Sequence, residues 1–210
     1  ALLVASMLFN RIRGWQFYRS IVFIPYILSV AVVGIVFSFI LQYNGVLNTI
    51  LRSGGLESAA KDWLGDSKLA LGSVAFVIIW KQFGFGVILI LARMMSIDST
   101  LYEAAEVDGA SWFQKLFRIT IPQTRHIIEF YIIISLIEML SWVFGYVFVM
   151  TAGGPGGSTY VLEYLIYKKS FGGGNFYIAQ AVGVIVLLIA TVLIVVHQLL
   201  VKRGAEANEN

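Results

Sequence analysis

The 210-residue sequence contains no cysteine, which excludes a disulfide framework, a thiolate metal site and a cysteine nucleophile. It has two histidines, His126 and His197, and no H-E-x-x-H, so a usual zinc site is excluded as well. Charge is also scarce. Only 13% of the residues are charged, against roughly 25% in an average soluble domain, and a water-soluble globule of this size needs more polar surface than that. The formal net charge of +3 is too small to argue for a nucleic-acid partner. Apolar residues are abundant: 59% are hydrophobic and 14% aromatic, the reverse of a disordered chain. An integral membrane protein remains.

A hydrocarbon core about 30 Å thick needs roughly 20 apolar residues of helix. Residues 20–42 supply such a run without a charge, and so do 176–201. Two interrupted runs also read as spans: 69–92, which contains Lys81, and 127–150, which contains Glu129 and Glu138. A central charge costs about 2.5–3.5 kcal/mol on the insertion scale, and the many Leu, Ile, Phe and Val residues outweigh it. Residues 1–9 are apolar but reach only about half a bilayer, and they lack the basic start of a signal peptide. The expectation is a chain that begins inside a transmembrane helix and is truncated. The fold class is therefore all-α, a polytopic bundle of four full spans and a partial first one in a single domain over 1–203, with a tail over 204–210. Long apolar runs do not fit the alternating strands of an outer-membrane barrel.

Lys and Arg in the flanks set orientation. Arg11, Arg13, Arg19, Arg93, Lys115, Arg118, Arg125, Lys202 and Arg203 fall on one side. Arg52, Lys61, Lys68, Lys168 and Lys169 fall on the other. The first set marks the cytoplasm and places the C-terminus there.

The longest cytoplasmic segment, 93–126, holds two capping boxes. Thr100 with Glu103 starts one short helix, which Asp108 and Gly109 end; Ser111 with Gln114 starts a second, which Pro122 stops. Phe113, Leu116 and Phe117 are spaced to pack that second helix as core. The product is a polar helix–tight turn–helix too short to cross a bilayer.

Within this segment Glu103-Ala104-Ala105 is followed by Gly109 and then by Ile119-Thr120-Ile121-Pro122. That spacing resembles the E-A-A loop of binding-protein-dependent ABC importer permeases, with Ile121 where the pattern has Leu. The flanks Leu101-Tyr102 and Asp108-Gly109-Ala110-Ser111 are similar to the carbohydrate branch (maltose and sn-glycerol-phosphate importers). So is Thr151-Ala152-Gly153-Gly154-Pro155-Gly156-Gly157 to that branch's TxGGP loop. Asp98 departs from the family, where Pro is common, and offers a capping carboxylate instead. The resemblance implies a permease subunit in the plasma membrane of a bacterium or archaeon. Its implied partners are a second permease subunit, two ATPase subunits and an extracytoplasmic solute-binding protein. ATP and magnesium would belong to the ATPase subunits, so this chain carries no cofactor and is not itself an enzyme. Residues Glu103, Ala104, Ala105, Asp108, Gly109, Ala110, Ile119 and Pro122 would form the coupling loop.

Lys81 and Glu138 each fall near the middle of their spans. Charges at that depth are paired or face a wet cavity. Two readings stand: they flank the translocation path, or they form a structural link between helices. Ser135, Glu138, Trp142 and Gly145 share one helical stripe by spacing. Trp80 and Gln82 flank Lys81, and rings, amides and carboxylates of this kind suit a sugar. Glu129 sits near a helix end and can snorkel.

The glycine-rich stretch Gly153, Gly154, Pro155, Gly156 lacks the G-K-[ST] ending of a phosphate loop. It reads as a tight external turn or a contact for the binding protein. Gly172-Gly173-Gly174-Asn175 reads as a flexible entry to the last span, and 43–68 as a solvated outer face. Two other classes compete. An ion-coupled secondary transporter predicts an inverted repeat and discontinuous helices, neither visible in the sequence. A membrane-embedded enzyme would need a nucleophile or metal beside Lys81 and Glu138.

Overall fold

The computed structural model describes residues 1–9, 13–172 and 174–209, with side chains described as far as 198. Arg11, Gly173 and the side chains of Lys202 and Arg203 lie outside the described residues. Every regular element among the described residues is helical. The chain divides into two compact units, Ala1–Leu28 with Ile79–Ile134, and Ser29–Ile78 with Ser135–Asn210.

The first unit holds α1 (Leu2–Phe9), α2 (Trp15–Ile27) and the second part of α5 (Ala70–Met95). It continues with α6 (Ser99–Val107), α7 (Trp112–Lys115), a π turn (Leu116–Thr120) and the first part of α8 (Ile121–Ser141). Its core is Ala5, Leu8, Val87, Ile90, Leu91 and Met94. The second unit holds α3 (Val30–Leu41), α4 (Val46–Ser53), a short 3-10 turn (Glu57–Ala59) and the first part of α5. The rest of α8, α9 (Val143–Met150), α10 (Leu162–Phe171) and α11 (Phe176–Glu209) complete it. Its core gathers Val33, Leu41, Val74, Val77, Tyr146, Val147 and Met150. Two glycines let α3 and α9 approach: a Cβ at Gly34 would stand 2.9 Å from Val149 Cγ1, and one at Gly145 3.0 Å from Val30 Cγ1. Small residues at such contacts are the usual means of packing helices in lipid.

Three helical runs are long and apolar enough to cross a bilayer: Val30–Ser53, Ala70–Met95 and Phe176–Gln198. The pair Trp112–Ser141 and Val143–Met150, bent by 47°, adds a fourth if it counts as one span. The expected spans over 69–92 and 176–201 thus coincide with helices.

Three expectations need correction. The run 20–42 is not one helix. Pro25 removes an N–H from the last turn of α2, Leu28 is extended (φ −64°, ψ 144°), and Ser29 captures the Val32 N–H at 3.3 Å to start α3. The run 127–150 is broken at Trp142, whose φ of −128° and ψ of −6° leave the helix. Pro122 does not end the second short helix. The π turn ahead of it widens the backbone, with Ile121 N–H donating to the Leu116 carbonyl, so the proline ring avoids the clash that an α-turn would impose. Helix α11 runs on through 204–209, the expected tail.

Segment 43–68, expected as a solvated face, is built around a buried amide. Asn48 is fully buried; its Nδ2 donates to the carbonyls of Tyr43 (3.0 Å) and Lys61 (2.6 Å), and its Oδ1 accepts from Trp63 Nε1 (2.8 Å). Ser73 of α5 in turn donates to the Trp63 carbonyl at 2.8 Å.

Candidate coupling surface and membrane-path residues

The coupling element begins at Asp98, not Thr100. The Asp98 carboxylate accepts the Thr100 N–H at 3.0 Å, and that bond holds its carboxyl below the ordinary value. Helix α6 ends in a Schellman turn. Gly109 is left-handed at φ +72° and donates to the Glu106 carbonyl at 3.0 Å, while Ala110 donates to the Ala105 carbonyl at 2.9 Å. The Ser111–Gln114 capping box then starts α7, with both of its bonds formed, at 3.3 and 2.7 Å. Such a cap contributes about 1 kcal/mol. Glu103, Ala104, Asp108 and Gly109 are exposed, Ala105, Ala110 and Ile119 half-buried, and Pro122 exposed.

Three ties stiffen this hairpin that the sequence reading missed. Lys115 Nζ pairs with Glu106 Oε1 at 2.6 Å, joining α7 to α6. The Tyr102 and buried Thr120 hydroxyls share a hydrogen bond of 3.1 Å, joining α6 to the π turn. Arg93 Nε donates to the Gln123 carbonyl at 3.1 Å, fastening the end of α5 to the start of α8. A cavity of about 250 Å³ lies behind the hairpin, lined by Ser6, Tyr102, Glu103, Glu106, Lys115 and Thr120 among others. The expected core packing of Phe113, Leu116 and Phe117 holds for Leu116 alone. Phe113 and Phe117 are 64% and 63% exposed, because they turn to the open side of the helix. Glu129 is bound by Arg125 at 2.7 Å and approached by His126 at 3.6 Å.

The mid-membrane residues divide between the units. In the first, Lys81 is 8% exposed; its Nζ donates to the Tyr26 carbonyl at 3.0 Å and lies 5.2 Å from that ring's centre. Tyr26 stacks on Phe85 at 4.8 Å, and Tyr131 donates to the Gln82 carbonyl at 3.1 Å. Trp80 is exposed and Gln82 half-buried. In the second unit Ser135 and Glu138 are half-buried on α8, and Trp142 stands at the break, 64% exposed. The break interrupts the four-residue stripe, and Gly145 is taken up by the contact of α9 with α3.

The expected glycine-rich turn forms over 151–159. Thr151 and Thr159 hydroxyls share a 2.8 Å bond, Thr159 donates to the Gly154 carbonyl at 2.8 Å, and Tyr164 OH donates to the Ala152 carbonyl at 2.6 Å. Gly153 is buried and left-handed at φ +78°, against the rings of Tyr160 and Tyr164; Gly154 and Pro155 are half-buried and Gly156 exposed. Glu163 on α10 accepts the Phe144 N–H at 2.6 Å; burial pushes its carboxyl above the ordinary value, against the pull of that bond.

Apolar helices of spanning length, joined by a capped and cross-tied polar hairpin, define a polytopic membrane protein. The chain belongs to the family described as the binding-protein-dependent transport system inner membrane component, which matches residues 1–205. It is a permease subunit of an ABC importer, the membrane component and not the hydrolysing one. It is 34% identical over 210 residues to a probable ABC transporter permease protein, YurN, of Bacillus subtilis (strain 168), covering 98% of this chain and 71% of that one. It is 33% identical to the diacetylchitobiose uptake system permease protein NgcF of Streptomyces coelicolor, covering 86% of this chain and 52% of NgcF. Among solved structures it is similar to a chain of a bacterial alginate ABC transporter in complex with an alginate pentasaccharide-bound periplasmic protein. The TM-score is 0.84 and the identity 29%, over 96% of this chain and 70% of that one. Discontinuous helices are present after all, at Leu28–Ser29 and at Trp142, so their expected absence does not separate this chain from secondary transporters; the family does.

Proposed function

We propose that this chain forms half of the translocation path of an ATP-driven importer for a sugar or sugar derivative in a bacterial or archaeal cytoplasmic membrane. Its C-terminus faces the cytoplasm. A second permease subunit supplies the other half, two ATPase subunits engage the loop 93–126, and an extracytoplasmic solute-binding protein delivers the sugar to the side carrying Gly153, Gly154, Pro155 and Gly156. The observation that carries this reading is the construction of α6. Its E-A-A run is exposed at Glu103 and Ala104, closed by a left-handed Gly109, and tied behind by Glu106, Tyr102 and Lys115. A surface that is open in front and braced behind can receive a push without deforming. Sugar as cargo is supported by the diacetylchitobiose and alginate systems among the similar proteins. Aromatic, amide and charged groups at Trp80, Lys81, Gln82, Ser135, Glu138 and Trp142 also suit it.

Apart from its two neighbours in the chain, no described atom lies within 4 Å of where a Cβ at Gly109 would stand, but the φ of +72° strains any side chain there. Gly109→Ala carries that backbone strain without the bulk and is the control, whereas Gly109→Trp also projects into the proposed docking space. The Trp variant is expected to abolish uptake and coupled hydrolysis while membrane insertion stays intact; wild-type uptake would overturn the assignment. A double-mutant cycle of Lys81→Met and Glu138→Gln, read on uptake and on expression, tests the path. Loss of expression alone would remove both residues from it.

A further inference from the structure

The break at Trp142 has no cause in its own sequence. Leu140-Ser141-Trp142-Val143 contains neither proline nor glycine, yet the helix pair bends by 47° there. In a continuous helix the Phe144 N–H would donate to the carbonyl of Leu140. It donates instead to Glu163 Oε2, 2.6 Å away on α10. A side chain that enters the i→i−4 ladder is one of the few recognised causes of a sharp kink. The carboxylate also takes an orphan donor of the first turn of α9 and sets an acceptor at the positive end of that helix. Trp142, at the N-cap position, makes no side-chain capping bond of its own.

Helix α10 grips α9 at both ends. Beside Glu163, Tyr164 OH donates to the Ala152 carbonyl just past the end of α9, at 2.6 Å. Between these points the Phe144 ring packs on Tyr164 and Tyr167, with centroids 6.1 and 5.2 Å apart. The Thr151–Thr159 and Thr159–Gly154 bonds fasten the intervening loop to the same piece. Helix α9, the loop and α10 form one braced body, and its inner end is the bend that presents Trp142.

We infer that Glu163 is a positioning residue for transport: its carboxylate, inserted from α10 into the backbone ladder at Phe144, makes the bend in the α8–α9 span and so sets where the Trp142 ring stands for an arriving sugar. The inference rests on the proposal that Ser135, Glu138 and Trp142 line the path. It adds a residue outside that stripe, and a mechanical link from the external loop to the stripe.

The absence of native cysteine makes the test direct. Cysteines at the exposed positions Met139 and Phe148, one on each side of the break, carry spin labels in the assembled transporter. Glu163→Val is expected to shift the inter-label distance distribution from that of the parent, and Glu163→Gln, which keeps an acceptor oxygen, to preserve it. In proteoliposomes with the binding protein, uptake is read with a panel of diacetylchitobiose, lactose, trehalose and maltose. For the best-transported sugar, Glu163→Val is expected to raise KM by about tenfold, the worth of one ordinary contact, with little change in maximal rate and with Glu163→Gln near the parent. An unchanged distance in Glu163→Val, a changed distance with unchanged KM, or a Glu163→Gln as disruptive as Glu163→Val would each overturn the inference. So would a Glu163→Val protein that fails to assemble, since a positioning role leaves assembly intact. Trp142→Ala separates the two levels. If it raises KM and Glu163→Val does not, only this inference falls; if Trp142→Ala leaves KM unchanged, the path proposal falls and takes the inference with it.

Discussion

Gly84 on α5 faces the backbone of α2 at Val22, and a Cβ at Gly84 would run into the Val22 carbonyl oxygen, with Phe23 Cα 3.1 Å away. Both obstacles are main chain and cannot swing aside. Two residues on, a Cβ at Gly86 would meet the Tyr131 ring at 2.5 Å, so the pair makes room for α2 and for Tyr131 in turn. Lys81 reaches the Tyr26 carbonyl one turn away along the same contact. Gly84→Ala is expected to force the helices apart at a cost on the order of 1–3 kcal/mol. Thermal unfolding of the purified assembly, by loss of monodispersity, should show the drop; an unchanged midpoint would mean that α2 and α5 are not in contact there.

The buried amide of Asn48 predicts a second loss. Replacement by Ala leaves the Lys61 carbonyl and the Trp63 indole N–H without the fully buried Asn48 amide, while the Tyr43 carbonyl keeps its 3.3 Å bond from Arg52. Each buried group left unsatisfied costs about 1–3 kcal/mol. Asn48→Ala should therefore raise deuterium uptake across 43–68 more than elsewhere. Asn48→Asp keeps the acceptor for Trp63 but sets a carboxylate oxygen against the Tyr43 and Lys61 carbonyls, so it should raise uptake there at least as much as Asn48→Ala. Uptake spread evenly over the chain would count against the local staple.

What the sequence disclosed and what it concealed follow one physical line. The Ser111–Gln114 box, the Gly109 turn and the span at 69–92 were legible because each is written within a few consecutive residues. Pro122 misled for the same reason. A local rule stops a helix at proline, and only the widened turn from Leu116 to Thr120 shows how the helix passes it. The break at Trp142 was invisible because its cause, Glu163, lies 19 residues beyond the Phe144 N–H that it binds. Helix α10 was missed as well. Its last-turn Lys168 and Lys169 read only as flanking charges, and its aromatic face declares itself only against Phe144 and Phe148. For the coupling loop, the exposed motif could be read and the ties behind it, Tyr102–Thr120 and Lys115–Glu106, could not.

Asp98 gives the coupling helix a pH dependence of known sign. Its carboxyl is held below the ordinary 3.8, chiefly by the Thr100 N–H. A group with a lowered folded value stabilises above its unfolded value and loses that contribution as pH falls through the folded one. Exchange at 99–101, corrected for intrinsic rates, should thus increase below about pH 4 in the native chain. Asp98→Asn, which keeps an accepting oxygen without titrating, should show no such step, and Asp98→Ala should exchange fast at every pH. A step that survives in Asp98→Asn would assign the titration to another group.

Tyr102 and Thr120 set the last prediction, because their hydroxyls join α6 to the π turn from which α8 starts. Thr120 is buried, and its Oγ1 also lies 3.4 Å from the Lys115 carbonyl, so its hydroxyl is held from two sides. Tyr102→Phe removes one partner and leaves the ring packed on Phe9, 5.2 Å away. Thr120→Val removes the other at nearly the same volume. Each single change should lower stability by about 0.5–1.5 kcal/mol, and the double mutant by less than the sum, since the Tyr102–Thr120 bond can be lost only once and Thr120→Val then removes only the longer contact with the Lys115 carbonyl. If the bond transmits motion as well as holding the hairpin, sugar moved per ATP hydrolysed should fall in both singles while hydrolysis itself persists. Additive stabilities with an unchanged transport ratio would reduce Tyr102–Thr120 to a neighbour contact without a mechanical role.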